Sequence, residues 1–241
     1  GAAFGSLSVA DDGTMFCIAN AAPCMHSLCR VDAASGAVEV LSPPDAFVSS
    51  FHVLSNGQGI AYVSSTLESA PKIAFAPIAQ GKTAPAVTFA PPMDIDVSKC
   101  AELRYGTADN GAQGVLHYKL RVPQGTAPEG GWPLMLYVYG GPHVQLVRKD
   151  FAARCELLPE TLCAMGIAVA TVDNQLHHGD GLTAHSVCKK SMGNFETEAY
   201  KRVVAHLVSE PPGLPPLNAK RVGIYGWSYG GYATLLAMSQ G

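Results

Sequence analysis

Hydrophobic and polar positions fall into two regimes along the chain. Up to about residue 89, short apolar runs alternate with turn residues, the pattern of short β-strands. Residues 6–9 lead to the turn Asp11-Asp12-Gly13, and 15–18 return. Residues 28–31, the turn Ala34-Ser35-Gly36 and residues 38–41 follow. The order then recurs with 51–54, the turn Ser55-Asn56-Gly57, 60–63, 73–75, Gln80-Gly81 and 87–89. Gly13 and Gly57 are 44 positions apart, and Gly36 and Gly81 are 45 apart. A four-strand unit repeating at about 40–45 residues is the signature of a β-propeller blade. Propellers take roughly four to eight blades, so the expectation for 1–98 is the C-terminal blades of a larger propeller. A small β-sandwich is the competing architecture.

After the linker at Pro91-Pro92-Met93, two strands are predicted at 103–107 and 115–122. Asp109-Asn110-Gly111 between them is hairpin chemistry. The second strand alternates, with Val115, His117, Lys119 and Arg121 on one face and Leu116, Tyr118, Leu120 and Val122 on the other. Residues 124–131, rich in Gly and Pro, read as an exposed loop. Beyond them strands alternate with helices, which argues for a mainly parallel sheet. Residues 134–139 form a buried strand that ends in Gly140-Gly141-Pro142-His143. A helix over 155–165 stops at Gly166, and a strand over 167–172 ends at Asp173-Asn174. Phe195, Ala199, Val203 and Leu207 share one helix face, flanked by Tyr200, Val204 and Val208. Pro211-Pro212-Gly213 closes that helix, and Arg221 opens the next strand.

That last strand feeds Gly226-Trp227-Ser228-Tyr229-Gly230-Gly231, followed by a helix from Tyr232. Strand, Gly-x-Ser-x-Gly corner and helix make the nucleophile elbow of an α/β-hydrolase. The corner is so sharp that the serine takes a strained backbone conformation, and side chains two positions either side would collide with strand and helix. Ser228 is the candidate nucleophile.

Composition narrows the function. A formal net charge of −3 gives no reason to expect nucleic acid as partner. No apolar stretch is long enough to cross a bilayer, and no signal peptide is visible. The seven cysteines (Cys17, Cys24, Cys29, Cys100, Cys155, Cys163, Cys188) include no Cys-x-x-Cys pair. They read as reduced thiols of an intracellular, cytoplasmic protein. His177, His178, Asp180, His185 and Cys188 lie close together, but their spacing fits no standard metal site and the region reads as a solvated loop. No cofactor is expected.

Tyr137-Val138-Tyr139-Gly140-Gly141-Pro142-His143, the following Val144-Gln145-Leu146-Val147, and Gly226-Trp227-Ser228-Tyr229-Gly230-Gly231-Tyr232 together resemble the prolyl oligopeptidase family of serine peptidases. Trp227 before the serine and Tyr139 before Gly-Gly-Pro make the likeness narrower, to the dipeptidyl peptidase IV subfamily, and the Val-Gln-Leu-Val run is most similar to its cytosolic branch. The resemblance implies a propeller followed by an α/β-hydrolase, here the N-terminal half of one, over 99–241, ending just after the elbow. It implies peptide substrates, release of N-terminal dipeptides with Pro or Ala second, and a homodimeric parent protein. It gives Ser228 the nucleophile's role, the Tyr229 backbone N–H one oxyanion donor and the Tyr139 phenol a second. For Tyr139 the plain alternative is a strand-end tyrosine packing its ring in the core.

Some positions depart from the family. Asp173-Asn174 usually continues Arg-Gly-Ser, where this chain has Gln175-Leu176-His177. The family's acidic pair with Asp-Gln becomes Glu196, Glu198, Ala199 and Tyr200. An α/β-hydrolase orders its triad Ser, Asp, His along the chain. The ten residues after Gly231 contain no acid and no histidine, and all eight histidines precede Ser228. The chain also opens on Gly1. The expectation is a fragment that lacks the triad Asp and His, and therefore a chain not competent alone. The alternatives are an inactive chain that binds peptides or a partner, and a non-peptidase hydrolase such as an esterase.

Overall fold

The computed structural model describes residues 4–54, 59–79, 82–83, 87–88, 96–142, 144–174 and 191–240. The turn Ser55-Asn56-Gly57, Gln80-Gly81, Phe89, the linker Pro91-Pro92-Met93, His143 and the group His177, His178, Asp180, His185 and Cys188 lie outside the described residues. Contacts divide the chain into two units. One comprises Gly1–Ser98 with Lys149–Arg154, and the other Lys99–Arg148 with Cys155–Gly241.

The first unit holds two antiparallel meanders. Strands β1 (Phe4–Val9), β2 (Met15–Ala22), β3 (Met25–Val31) and β4 (Val38–Val40) form one sheet in chain order. Strands β5 (Phe47–Val53), β6 (Gly59–Ser65), β7 (Lys72–Ala79) and β8 (Lys82–Thr83) form another, and β9 (Val87–Thr88) also pairs with β7. The repeat seen in the sequence is thus a repeat of sheets, each open at its ends among the described residues. The turn residues behave as their chemistry demands. Gly13 at φ 84° and Gly36 at φ 71° take left-handed positions, while Asp12 and Asp32 carboxylates accept backbone N–H groups two or three residues on. Phe16, Ile18 and Leu28 of the first sheet share a core with Val48, Ile60, Tyr62, Ala74 and Ala76 of the second. Cys17, Ala19 and Cys29 are buried on the opposite face of β2 and β3, so this sheet is covered on both sides. Segment 149–154 joins the unit through its backbone. The Lys149 N–H donates to Cys24 O at 3.1 Å and the Phe151 N–H to Ser65 Oγ at 3.3 Å.

The second unit is a five-stranded mixed sheet in the order β10-β11-β13-β12-β14. Strands β10 (Glu102–Asp109) and β11 (Val115–Val122) are an antiparallel hairpin, and β11 is antiparallel to β13 (Ala168–Asp173). Strand β12 (Trp132–Val138) lies parallel to β13 on one side and to β14 (Leu217–Gly226) on the other. Helix α1 (Phe151–Arg154) belongs to the first unit, and among the described residues three helices complete the second: α2 (Leu157–Ala164), α3 (Asn194–Val208) and α4 (Tyr229–Gln240). The apolar stripe Phe195, Ala199, Val203 and Leu207 is buried as the periodicity predicts. It packs on Leu116, Tyr118, Leu120, Leu136, Val138 and Val172.

Three local expectations are corrected. The hairpin does not turn tightly at Asp109-Asn110-Gly111. Asp109 pairs with Val115, and a 3-10 turn over Gly111–Gln113 fills the gap, closed by the Asn110 N–H donating to Gly114 O at 2.9 Å. The strand before the elbow begins at Leu217 rather than Arg221, because Leu217 already pairs with Trp132. The helix expected over 155–165 is shorter, with α1 separate before it.

On the β11 face that carries Val115, His117, Lys119 and Arg121, the two charged side chains are not solvated. Lys119 and Arg121 are each 1% exposed. Their charges are met at the start of α2 and just ahead of it: Lys119 Nζ lies 2.7 Å from Glu156 Oε2, and the Arg121 guanidinium pairs with Glu156 and Glu160. Burial of two cations under a helix is tolerable only with such partners. Beside them Cys163 and Val169 form a small apolar layer, and burial pushes the Cys163 thiol up to about 12. Cys17, Cys29, Cys100 and Cys163 are free thiols. No helix of the described residues is long and apolar enough to cross a membrane.

Candidate active site

The carboxyl ends of three adjacent parallel strands bring the candidate residues to one rim. Strand β12 runs into Tyr139-Gly140-Gly141, β13 ends on Asp173 and Asn174, and β14 runs into Trp227-Ser228. In open α/β sheets the crevice outside the carboxyl ends of the strands is where ligands bind.

Ser228 occupies the corner between β14 and α4 with φ 56°, a left-handed conformation that costs a residue with a Cβ about 1–3 kcal/mol. Its carbonyl starts the helix, accepting the Gly231 N–H at 3.0 Å and the Tyr232 N–H at 3.3 Å. Two glycines make room for the corner. A Cβ on Gly226 would lie 2.4 Å from Val138 O and 2.5 Å from Gly230 O, and one on Gly230 would lie 2.3 Å from Val138 O. Gly231 is different, since its nearest neighbour would be Gly226 O at 3.6 Å, an ordinary contact. Ser228 and Trp227 are exposed, Trp227 to 78%. Among the described residues Ser228 Oγ has no hydrogen-bond partner.

Tyr139 is half-buried, its ring 6.1 Å from that of Tyr229 at 43°. Gly141 lies against both rings: a Cβ there would stand 2.8 Å from Tyr229 Cγ and 2.9 Å from Tyr139 Cε1. Tyr229 is the first residue of α4, where backbone N–H groups point out of the helix and the dipole favours negative charge. Its ring meets Tyr232 edge-on at 5.4 Å, and its O–H donates to Glu196 Oε1 at 2.5 Å.

The loop after β12 is tied to the end of β13. Asn174 Nδ2 donates to Gly140 O at 2.8 Å, and the Asp173 carboxylate accepts the N–H groups of Leu146 (2.9 Å) and Val147 (2.8 Å). Gly140 has φ 79°, and a Cβ there would run into the Tyr200 hydroxyl. Burial, reinforced by the charge of Glu196, pushes the Tyr200 phenol far above its ordinary value, so it stays protonated throughout the physiological range.

The structure therefore brings Ser228, Tyr139 and Tyr229 to one rim. The described histidines sit elsewhere. His26 stacks on Phe47, His52 and His117 lie on strands, and His206 lies on α3 with its ring 3.3 Å from the Tyr118 hydroxyl. Sequence reasoning missed Glu196 and the Asp173–Asn174 tether. For Glu196 there was a signal, a glutamate three residues after Gly193 at a helix start.

The fold is that of a crystal structure from Bacteroides ovatus ATCC 8483 assigned as a dipeptidyl aminopeptidase IV. The TM-score is 0.79 at 23% identity, over 94% of this chain and 32% of that one. Residues 154–241 match the prolyl oligopeptidase family, so the family likeness carried by the sequence motifs is borne out. Dipeptidyl peptidase 8 of Mus musculus is 34% identical over 125 residues, 52% of this chain and 14% of that protein. Prolyl endopeptidase FAP of Bos taurus is 34% identical over 128 residues, 52% of this chain and 16% of that protein. The chain thus spans about one-seventh of the length of these relatives.

Proposed function

We propose that this chain carries the nucleophile and the oxyanion hole of a serine peptidase, within an α/β-hydrolase fold preceded by β-propeller blades. Ser228 Oγ attacks the scissile carbonyl carbon while its proton passes to a general base. The carbonyl π-bond becomes the oxyanion, and collapse expels the leaving amine, which takes up the proton, to give an acyl-enzyme. The Tyr229 N–H and the Tyr139 phenol donate to the oxyanion. A preorganised donor of this kind is typically worth about 2.7–4 kcal/mol in the transition state. Water then hydrolyses the acyl-enzyme and restores Ser228.

The observation that carries this reading is the strained left-handed Ser228 between two glycines that no Cβ could replace without collision. A glycine-rich turn with an ordinary serine has no need of either feature. Antiparallel meanders at a 40–45-residue repeat, one covered on both faces, favour propeller blades over a two-sheet sandwich. The names of the relatives favour a peptidase over an esterase and, with Tyr139 before Gly-Gly-Pro, release of N-terminal dipeptides ending in Pro or Ala. A cytoplasmic, homodimeric parent protein agrees with the thiols of Cys17, Cys29, Cys100 and Cys163 and with the likeness to the cytosolic branch.

A second reading, a catalytically inactive chain that binds peptides or a partner, is favoured by Ser228 Oγ having no hydrogen-bond partner among the described residues. Hydrolysis of a Gly-Pro anilide by the natural polypeptide separates the two. Peptidase action predicts release that Ser228→Ala lowers by about 10³-fold or more. A protein that binds the peptide without cleaving it, or cleaves it equally well as Ser228→Ala, refutes it.

A further inference from the structure

Glu196 is 1% exposed, a placement that is costly for a carboxylate unless its oxygens are satisfied. Oε2 accepts the Gly193 N–H at 2.5 Å, and Oε1 accepts the Tyr229 O–H at 2.5 Å. The first contact is local and closes the first turn of α3, as a glutamate at the third helical position commonly does. The second is not needed to start a helix. It reaches 33 positions along the chain to the first residue of α4, the residue that follows Ser228. The Tyr229 ring is held along its flank as well, because Gly141 leaves space for it beside Tyr139 and no more. The phenol tip is pinned from inside the fold and the ring is pinned at the rim. The Tyr229 main chain cannot shift without breaking one of these holds.

We propose that Glu196 is a positioning residue for the oxyanion hole. By gripping the Tyr229 phenol it sets the direction of the Tyr229 backbone N–H and braces the Ser228 corner against the Tyr139 loop. The inference rests on the reading of Ser228 as nucleophile. It assigns a function to a buried charge that helix capping alone would leave half explained. Hydrogen bonds to an ionised carboxylate are shorter and stronger than neutral ones, which suits a brace.

The test uses the natural full-length polypeptide with three variants: Glu196→Gln, Tyr229→Phe and the double variant. Glu196→Gln leaves one carbonyl oxygen for two donors. Tyr229→Phe removes the phenol's bond to Glu196 and leaves the Gly193 contact to Glu196 in place, so it reads the proposal even if the glutamine variant folds poorly. Gly-Pro anilide turnover is divided by the concentration of serine titrated with a fluorophosphonate, which removes any loss of folded protein, and thermal midpoints are recorded alongside. A donor displaced by a fraction of an ångström predicts that kcat per titrated serine falls about 10-fold in each single variant, with KM changed by less than about threefold. The double variant is expected to be no worse than the worse single one, since both break one contact. A Tyr229→Phe enzyme whose kcat per titrated serine stays within about twofold of wild type overturns the positioning role, whatever its thermal midpoint does. Ser228→Ala, run in parallel, separates this from the parent reading. A wild-type protein that is not labelled at Ser228, or a Ser228→Ala protein that hydrolyses normally, overturns the nucleophile itself and the positioning role with it.

Discussion

Replacing Gly226 by alanine puts one methyl group where the fold has no space. The new Cβ would stand 2.4 Å from Val138 O and 2.5 Å from Gly230 O. Both are main-chain atoms, one at the end of β12 and one in the first turn of α4, so no side chain can swing aside to relieve the overlap. Relief requires the corner to open by about 1 Å, and a displacement of that size at a reacting group can cost about 10²-fold in rate. Overpacking of this kind costs about 1–3 kcal/mol in stability. Gly230→Ala meets Val138 O at 2.3 Å and is expected to behave alike. Gly231→Ala is the control within the same motif. Its Cβ would make an ordinary 3.6 Å contact, and its position is helical, where alanine is better than glycine by about 0.8–1 kcal/mol. The assay is Gly-Pro anilide hydrolysis and thermal unfolding of the natural polypeptide carrying each change. The expected order is Gly231→Ala near wild type, with Gly226→Ala and Gly230→Ala lower in both activity and melting midpoint. A Gly231→Ala protein as damaged as Gly230→Ala, or an unimpaired Gly226→Ala protein, would refute the packing argument.

Two further outcomes follow from the buried polar groups. Glu160→Ala takes one of two carboxylate partners from the Arg121 guanidinium and one acceptor from the Ala101 N–H, and should cost about 1.5–3 kcal/mol in urea denaturation. Glu198→Ala, which removes the exposed pair with Lys201, should cost less than about 0.5 kcal/mol. Stability should also fall in alkali. Burial raises the Cys163 thiol from an ordinary 9.0 to about 12, so above pH 9.0 the unfolded chain gives up this proton while the folded chain keeps it. That contribution is complete below pH 9.0 and is lost as pH climbs towards 12. Burial shifts the Tyr118 and Tyr137 phenols in the same direction, and they add to the loss at higher pH. Cys163→Ala should flatten the first part of the decline in urea midpoints, and an unchanged slope would contradict the assignment.

Much of the second unit was legible because its signals are local. Gly226, Ser228 and Gly230 announce a strand–corner–helix by spacing alone, and Phe195, Ala199, Val203 and Leu207 mark a buried helix face by their period. The strand repeat in the first unit was legible for the same reason, since Gly13 and Gly36 punctuate it at turns only glycine fills easily. What the sequence hid is pairing across long separations. Lys119 and Arg121 alternate with apolar neighbours as an exposed strand face would, and only Glu156, just ahead of α2, and Glu160 within it turn them into buried ion pairs. Glu196 is a similar case: its capping role can be read from Gly193, but its hold on Tyr229 cannot. The hairpin turn was misread because Gly111 does take a left-handed conformation, but as the start of a 3-10 turn rather than the middle of a tight one.

The central claim is that Ser228 is a nucleophile facing a preorganised oxyanion hole. The most direct measurement is to treat the natural polypeptide with a fluorophosphonate and map the adduct by peptide mass. The account predicts a single phosphonylated serine, Ser228, with loss of Gly-Pro anilide hydrolysis in step with labelling. An adduct at another serine, or full hydrolysis with Ser228 unmodified, would contradict it.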